Sequence, residues 1–156
     1  MERTLVFLKP DALKRRIAGE ILSRFERKGF FILALKLVKI SETFARKHYA
    51  AHVDKDFYEP LIDYITSGPS IVMVLQGKNA VKVVRDMLGE TFGGDSPPGT
   101  IRGDFALSNR YNLVHASDST DAAEGEIERF FDSRELIAYN KEDIEVIYDV
   151  TDDEIV

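Results

Sequence analysis

The sequence has no cysteine and no tryptophan among its 156 residues. The absence of cysteine excludes a disulfide framework and a zinc site built on thiolates. It also suits a reducing compartment, and we expect a cytoplasmic protein. No apolar run approaches the roughly 20 residues that a transmembrane helix needs, since the richest run, 30–35, ends at Lys36. The N-terminal residues lack the basic and apolar blocks of a signal peptide, so we predict none.

Familiar nucleotide-binding and metalloprotease signatures are missing as well. The chain contains no G-x-x-x-x-G-K-[ST] phosphate loop, no G-x-G-x-x-G of the protein-kinase type and no H-E-x-x-H. Any nucleotide chemistry in this protein must therefore use a different phosphate-binding and catalytic arrangement.

Basic charge is absent from the C-terminal end. From Glu142 onward there are seven acidic residues and no Lys or Arg, and subtracting these seven from the net charge of −6 leaves +1 for residues 1–141. A nearly neutral body does not favour nucleic-acid binding, which needs a basic surface. The length fits one domain, residues 1–156, with an acidic extension from about 142 to 156.

Apolar patterning predicts four strands separated by helices. The predicted strands are Thr4–Leu8, Phe30–Ile40, Ile71–Leu75 and Tyr111–His115. The predicted helices run from Ile17 to a stop at Gly29, from a cap at Ser41 to about His52, from Glu59 to Thr66, from Asn79 to Gly89, and onward from a capping-box pair, Asp121 and Glu124. This order reduces to βαββαβ, so we predict a ferredoxin-like α+β fold, a four-stranded antiparallel sheet with helices on one face.

The segment 112–119, which reads N-L-V-H-A-S-D-S, is the most informative in the chain. It places His115 at the end of a short strand, followed by small polar residues and a helix. A neutral imidazole nitrogen is nucleophilic near neutral pH, because the reference pKa of histidine is about 6.5. Glu126 in the next helix is placed to orient the ring or to hold Ser117. The alternative is an ordinary histidine, packed or solvated at a strand end.

This octet resembles the active-site signature of the nucleoside diphosphate kinases, and the resemblance covers nearly the whole chain. The other matching segments, in order and at matching spacing, are Arg3-Thr4, Lys9-Pro10-Asp11, Gly19-Glu20-Ile21, Arg24-Phe25-Glu26, Ser67-Gly68-Pro69, Met87 to Thr91 and Gly99 to Phe105. The resemblance implies an enzyme that moves the γ-phosphoryl group of a nucleoside triphosphate, usually ATP, to a nucleoside diphosphate. It implies a ping-pong mechanism through a phosphohistidine at His115, for synthesis of GTP, CTP, UTP and deoxynucleoside triphosphates.

The resemblance also implies which residues hold the phosphates. Lys9 matches a lysine that contacts them, Arg85 and Arg102 match two arginines that clamp them, and Thr91 matches a hydroxyl donor. Taken alone, Arg85 equally fits an exposed charge on a helix whose apolar face lies elsewhere.

Four further residues match the part of the family's site nearest the nucleoside and the histidine. Asn112 matches a contact to the sugar 3′-hydroxyl, and Phe57 matches an aromatic on which the base stacks, with Leu61 in the same pocket. Tyr49 matches a tyrosine close to the catalytic histidine. By composition alone Phe57 fits a core aromatic better than a stacking residue, and Asn112 fits a turn residue, the commoner role of asparagine.

The resemblance implies Mg²⁺ as cofactor. We expect it to arrive on the nucleotide, because no cluster of carboxylates suggests a dedicated cage. Asp118 is expected to be structural first, with contact to Mg²⁺ through water as its alternative role. Asp11 is expected to be structural. The resemblance further implies a homo-oligomer, with a hexamer favoured and a tetramer or dimer as alternatives. Phe92-Gly93 stands where relatives commonly have Asn-Pro in the loop that builds trimer contacts, which leaves the hexamer less secure.

Two other functions stay open at this point. One is an interaction or regulatory protein on the same fold without kinase chemistry, and the other is a nucleic-acid binder. The full set of matching site residues argues against the first, and the charge distribution argues against the second.

Overall fold

The computed structural model describes residues 1–139, 144–151 and 154–155. Its centre is a four-stranded antiparallel sheet in the order β2-β3-β1-β4. The strands are β1 Glu2–Leu8, β2 Phe31–Lys39, β3 Pro69–Gly77 and β4 Val114–Ala116. The predicted ferredoxin-like α+β fold is confirmed.

Eight α-helices accompany this sheet in the described ranges. They are α1 Pro10–Lys14, α2 Ala18–Arg27, α3 Glu42–His48, α4 Tyr58–Thr66, α5 Ala80–Leu88, α6 Ile101–Phe105, α7 Thr120–Phe130 and α8 Ile144–Ile147. Single 3-10 turns cover 50–52, 93–95 and 133–135, and β5 Val150–Thr151 pairs with β6 Glu154–Ile155. No helix in these ranges is long and apolar enough to cross a membrane.

The sheet is covered by helices on both faces, so the expectation of one covered face is wrong. Strand β1 shows why, because Leu5, Val6, Phe7 and Leu8 are all fully buried. Leu5 and Phe7 pack with residues of α3, α4 and α7, whereas Val6 and Leu8 pack with residues of α2, α5 and α6. A continuous apolar run is typical of a strand buried on both sides.

Helix boundaries follow the local signals with one exception. Ser41 caps α3 by accepting from Phe44 N, and Gly29 and Gly89 end α2 and α5 with φ of +98° and +79°. The predicted capping box at Asp121 is wrong, because Ser119 is the cap of α7 and accepts from Ala122 N.

A carboxylate from β1 joins the starts of α5 and α7. Glu2 Oε2 accepts a hydrogen bond from Val81 N at 3.0 Å, and Oε1 accepts one from the Thr120 hydroxyl at 3.0 Å. Asn79, at the N-cap position of α5, forms no side-chain cap. An anion at a helix start is favoured by its free N–H groups and dipole. Glu2 thereby fixes two helices that carry residues of the predicted site.

The chain after Phe131 returns to the outer edge of β2. Ile137 N donates to Leu33 O at 2.8 Å, Ile32 N donates to the Tyr139 hydroxyl, and the Tyr148 hydroxyl donates to Gly29 O at 3.2 Å. Of the predicted acidic extension, residues 142–143, 152–153 and 156 lie outside the described residues.

Candidate active site

His115 is held against the sheet by its partner strand. It lies opposite Phe7 in the β1–β4 pairing, and the two rings stack with centroids 4.7 Å apart at an interplanar angle of 20°. The His115 side chain is 20% exposed. The ring is therefore fixed in orientation yet reachable from one side.

Glu126 and Ser117 complete a relay behind His115. Nε2 of His115 lies 3.1 Å from both carboxylate oxygens of Glu126, and the Ser117 hydroxyl donates to Glu126 Oε2 at 2.7 Å. Burial acts to raise the pKa of Glu126, but the hydrogen bonds from His115 and Ser117 and the nearby imidazoles outweigh it and lower that pKa.

An ionised Glu126 assigns the tautomer of His115. The carboxylate accepts from Nε2–H, so the lone pair of the neutral ring is on Nδ1. No described residue hydrogen-bonds to Nδ1. The arrangement thus presents one free nucleophilic nitrogen and holds the other.

His48 is a neighbour that sequence reasoning missed. Its ring centroid lies 5.1 Å from that of His115 at an angle of 71°, and its Nε2 lies 3.9 Å from Glu126 Oε1. Burial, followed by the proximity of His115, lowers the pKa of His48 to about 4, so it is neutral at pH 7. The only sequence signal for it is its place next to Tyr49.

Tyr49 lies where the resemblance implied. Its ring is edge-on to His115 at 6.3 Å. The phenol oxygen is buried without a hydrogen-bond partner among the described residues, and burial raises the pKa of Tyr49. This hydroxyl is therefore available as a hydrogen-bond donor beside His115.

Lys9 and Asn112 form a second buried pair. Lys9 Nζ donates to Asn112 Oδ1 at 2.6 Å, and Asn112 Nδ2 donates to Thr91 O at 2.9 Å. Burial and then the charge of Arg102 lower the pKa of Lys9 to about 8. Burial and the nearby arginine disfavour the charged form of Lys9, and a bound phosphate would stabilise it.

Arg102 is bound to backbone in this structure. Its guanidinium donates to four carbonyls, those of Gly89, Glu90, Asn112 and Val114, at 2.7–3.2 Å. Burial and then the charge of Arg85 lower its pKa to about 10. A guanidinium has five N–H groups, so one remains for a phosphate oxygen.

Asp11 is structural, as expected, and supports a bend beside His115. It accepts from Leu113 N at 3.1 Å and from the Tyr64 hydroxyl. Leu113 is fully buried with φ of +72°, a conformation that costs a non-glycine residue energy. The strained residue lies between Asn112 and His115, so Asp11 stabilises the backbone that sets both side chains.

The predicted nucleotide end is built more openly. Phe57 is 52% exposed, with its ring 5.6 Å from that of His52, and Leu61 is half-buried one turn later. Arg85 and Asp118 are exposed and line an open hollow of about 650 Å³. Phe57, with Leu61 one turn further on, therefore lies beside His52, whereas Arg85 and Asp118 share the lining of the hollow.

Metal-ligating side chains converge at one place in the described ranges. His48, His115 and Glu126 offer ligand atoms within 4.8 Å of one another, and no cage of carboxylates is found there.

Comparison with known proteins points to a single family. The family model described as nucleoside diphosphate kinase matches residues 2–136. The chain is 49% identical to a nucleoside diphosphate kinase of Methanothermobacter thermautotrophicus, covering 96% of this chain and 99% of that protein. It is 50% identical to one of Archaeoglobus fulgidus, with the same coverage. The solved structure of a halophilic nucleoside diphosphate kinase from Halobacterium salinarum in complex with CDP superposes with a TM-score of 0.92 at 42% identity, covering 95% of this chain and 99% of that one.

Proposed function

The chain belongs to the nucleoside diphosphate kinase family, and from that premise we propose that Nδ1 of His115 is the atom that carries the phosphoryl group. The protein is a nucleoside diphosphate kinase, a phosphotransferase acting on nucleotides. The observation that carries the assignment is the bonding of His115 Nε2 to Glu126, which leaves Nδ1 unengaged by the described residues.

The proposed reaction has two in-line transfers. Nδ1 attacks the γ-phosphorus of a nucleoside triphosphate, the bond from phosphorus to the β–γ bridging oxygen breaks, and a nucleoside diphosphate leaves. The ring becomes positively charged, and ionised Glu126 stabilises it through Nε2–H. A second nucleoside diphosphate then attacks the phosphohistidine through its terminal oxygen, which regenerates neutral His115 and releases a triphosphate.

The cations at the site support polyphosphate binding. Burial and then the charge of Arg102 lower the pKa of Lys9, and burial and then the charge of Arg85 lower the pKa of Arg102. Anionic phosphates placed among these three groups relieve that repulsion. Thr91 is proposed to donate to a phosphate, and the orphaned Tyr49 hydroxyl to bind the phosphoryl group or the ring of His115.

Nucleoside binding is proposed at Asn112, Phe57 and Leu61. The relative from Halobacterium salinarum was solved with CDP, which supports a nucleoside diphosphate as ligand of this chain. The half-exposed ring of Phe57 offers a face for a base, and the buried amide of Asn112 is proposed to reach the sugar 3′-hydroxyl.

We propose that Mg²⁺ is the cofactor and enters with the nucleotide. Asp118 lines the same hollow as Arg85, which supports the proposal that it contacts the ion through water. When bound, Mg²⁺ supplies positive charge to the phosphate oxygens. A cytoplasmic location is part of the proposal and rests on the cysteine-free sequence.

A homo-oligomer is also proposed, with a hexamer first and a tetramer or dimer as alternatives. Leu35 and Leu37 on the outer strand β2 are 46% and 65% exposed, which favours burial by another copy. Light scattering on the purified protein measures the mass directly. The alternative of an interaction protein without kinase chemistry is favoured by none of the comparisons.

The test is the intact mass of the protein after brief mixing with ATP and Mg²⁺, wild type beside His115→Ala. We expect wild type alone to gain one phosphoryl group, about 80 Da from its atoms, as the covalent intermediate. Addition of a different nucleoside diphosphate should discharge it. A phosphoenzyme of equal yield in His115→Ala would remove His115 from the role.

A further inference from the structure

Two imidazoles and one carboxylate meet behind the exposed side of His115. Nε2 of His48 lies 3.9 Å and Nε2 of His115 lies 3.1 Å from Glu126 Oε1. The three side chains are 3%, 20% and 12% exposed, so water has little access to the space between them.

The spacing suits a tetrahedral transition-metal ion. Ligand bonds of about 2.0–2.2 Å put neighbouring ligand atoms of Zn²⁺ about 3.3–3.6 Å apart. The two distances to Glu126 Oε1 bracket this range, and all three ligand atoms lie within 4.8 Å of one another, so rotations of the two rings can bring them into it. Two histidines and a glutamate also form a donor set that zinc accepts, with the fourth position left to water. Mg²⁺ prefers six oxygen ligands and does not compete for it.

We propose that His48, His115 and Glu126 form a Zn²⁺ site whose occupation blocks phosphorylation. Zn²⁺ at Nε2 of His115 requires the proton there to move to Nδ1. The Nδ1 lone pair, which would otherwise attack phosphorus, is then used for that N–H bond. The metal also takes the Glu126 carboxylate that stabilises the charged ring. The inhibition rests on the proposed role of His115, whereas the metal site does not.

Arg129 opposes the metal. Its Nη1 lies 3.4 Å from Nδ1 of His48, and donation to Nδ1 keeps the proton of His48 on Nε2, the atom that must bind Zn²⁺. Its positive charge also repels a cation. The side chain is exposed and is able to swing away, so Arg129 sets the affinity without closing the site.

The test measures binding and inhibition separately. Calorimetry with Zn²⁺ in the absence of nucleotide gives stoichiometry and affinity, and Co²⁺ gives an independent absorption signature of tetrahedral coordination. Intact mass after mixing with ATP and Mg²⁺ then gives the phosphoenzyme yield at rising free Zn²⁺. The variants are His48→Gln, His48→Phe, Arg129→Gln and, as matched control, His52→Gln, which removes an exposed histidine one turn further on.

We expect one Zn²⁺ per chain and a tetrahedral Co²⁺ spectrum in wild type. His48→Gln and His48→Phe, the second of which keeps a ring in the packed space, should each weaken binding at least tenfold and lose the spectrum. Arg129→Gln should tighten binding several-fold, and His52→Gln should match wild type. Zn²⁺ should lower the phosphoenzyme yield of wild type. The same Zn²⁺ concentrations should leave the yield of His48→Phe equal to its own yield without metal.

Wild-type affinity in both His48 variants would overturn the proposed site. Equal suppression by Zn²⁺ in wild type and His48→Phe would overturn the mechanism of inhibition, because the metal would then act on the nucleotide. Absence of any phosphoenzyme in metal-free wild type would overturn the catalytic role of His115 and with it the inhibition. That result is distinguishable from failure of the metal site, which calorimetry and the Co²⁺ spectrum test alone.

Discussion

The corner around His115 and the surface around Phe57 are built in opposite ways. Glu126, Ser117 and Asn112 are buried and hydrogen-bonded, and they hold their neighbours at fixed distances. Phe57 is half exposed and contributes a ring face. A fixed corner suits phosphoryl transfer, where positioning and charge dominate, whereas a stacking face does not read base edges. The residues around His115 therefore fix the geometry of the reaction closely, whereas the surface around Phe57 is expected to discriminate little between bases.

The largest effect is expected inside the fixed corner, from Glu126→Gln. The neutral amide still accepts from Nε2–H but no longer stabilises a charged ring, so kcat should fall roughly 10- to 100-fold with KM nearly unchanged. Steady-state kinetics measures both. Glu128→Gln, an exposed carboxylate on the same helix, is the matched control. A loss confined to KM would contradict the role given to Glu126.

Asp11→Asn tests whether the corner depends on its strained support. The substitution leaves one of the two donors, Leu113 N or the Tyr64 hydroxyl, poorly paired in a buried place, which costs about 1–3 kcal/mol. Urea unfolding should show that loss, and activity should fall with it because Leu113 sets His115. Asp63→Asn, on an exposed face of α4, should leave the unfolding midpoint in place. An unchanged urea midpoint in Asp11→Asn would show that the conformation of Leu113 does not depend on its hydrogen bond to Asp11.

Lys9 is expected to give the site a pH limit. Its charged form is proposed to bind phosphate, so kcat/KM should decline as pH rises through about 8, by roughly tenfold per unit beyond it. The pKa of Lys9 is lower in the folded than in the unfolded chain, so its contribution to the free energy of unfolding rises from pH 8 to 10.5. Loss of this charge therefore does not act by unfolding the chain.

The measurement is a pH profile of kcat/KM beside kcat. Bound phosphate holds the proton on Lys9, so kcat should decline only at higher pH. Lys14→Gln, an exposed lysine in α1, should keep the wild-type profile. A value of kcat/KM that stays level to pH 10 would exclude charged Lys9 from phosphate binding.

The smallest effect is expected on the open surface. Phe57→Leu removes the aromatic face on which a base is proposed to stack, an interaction worth about 1–3 kcal/mol per base. Because the ring is half exposed, we expect a loss at the low end of this range, a rise of about fivefold in KM. The rise should be similar for purine and pyrimidine nucleotides, with kcat nearly unchanged, and Phe57→Tyr should restore wild-type KM. A loss selective for one base would mean that this surface reads base edges after all.

The same contrast explains what the sequence predicts. Lys9, Asn112, Ser117 and Glu126 were found because they stand in or near matching segments, and the structure brings them to His115 or to one another. The buried run Leu5–Leu8 and the βαββαβ order were enough for the fold class. The helices on the second face of the sheet were missed because a continuous apolar run, unlike an alternating one, does not show whether one face of the strand is exposed to solvent.

Contacts between distant segments leave no local pattern. His48 of α3 meets His115 of β4 on one face of the sheet. Arg102 donates to carbonyls that precede and follow its own helix, and Tyr64 of α4 donates to Asp11 of α1. The short helices α1 and α6 were missed because five residues are too few for apolar periodicity, although Pro10 and Thr100 are both start signals.

The bonds of Glu2 and Arg3 bear on when, during synthesis, this protein becomes an enzyme. Glu2 is bonded to Thr120, and Arg3 forms a salt bridge with Glu124 at 3.0 Å. A ribosome adds about 5–20 residues per second, so roughly 6–24 s pass between the making of the first partner and the last. Until His115 has been made, Phe7 lacks the histidine whose ring stacks on it. A chain that stalls before residue 115 therefore contains the sequence of β1 but lacks the histidine that is proposed to carry the phosphoryl group.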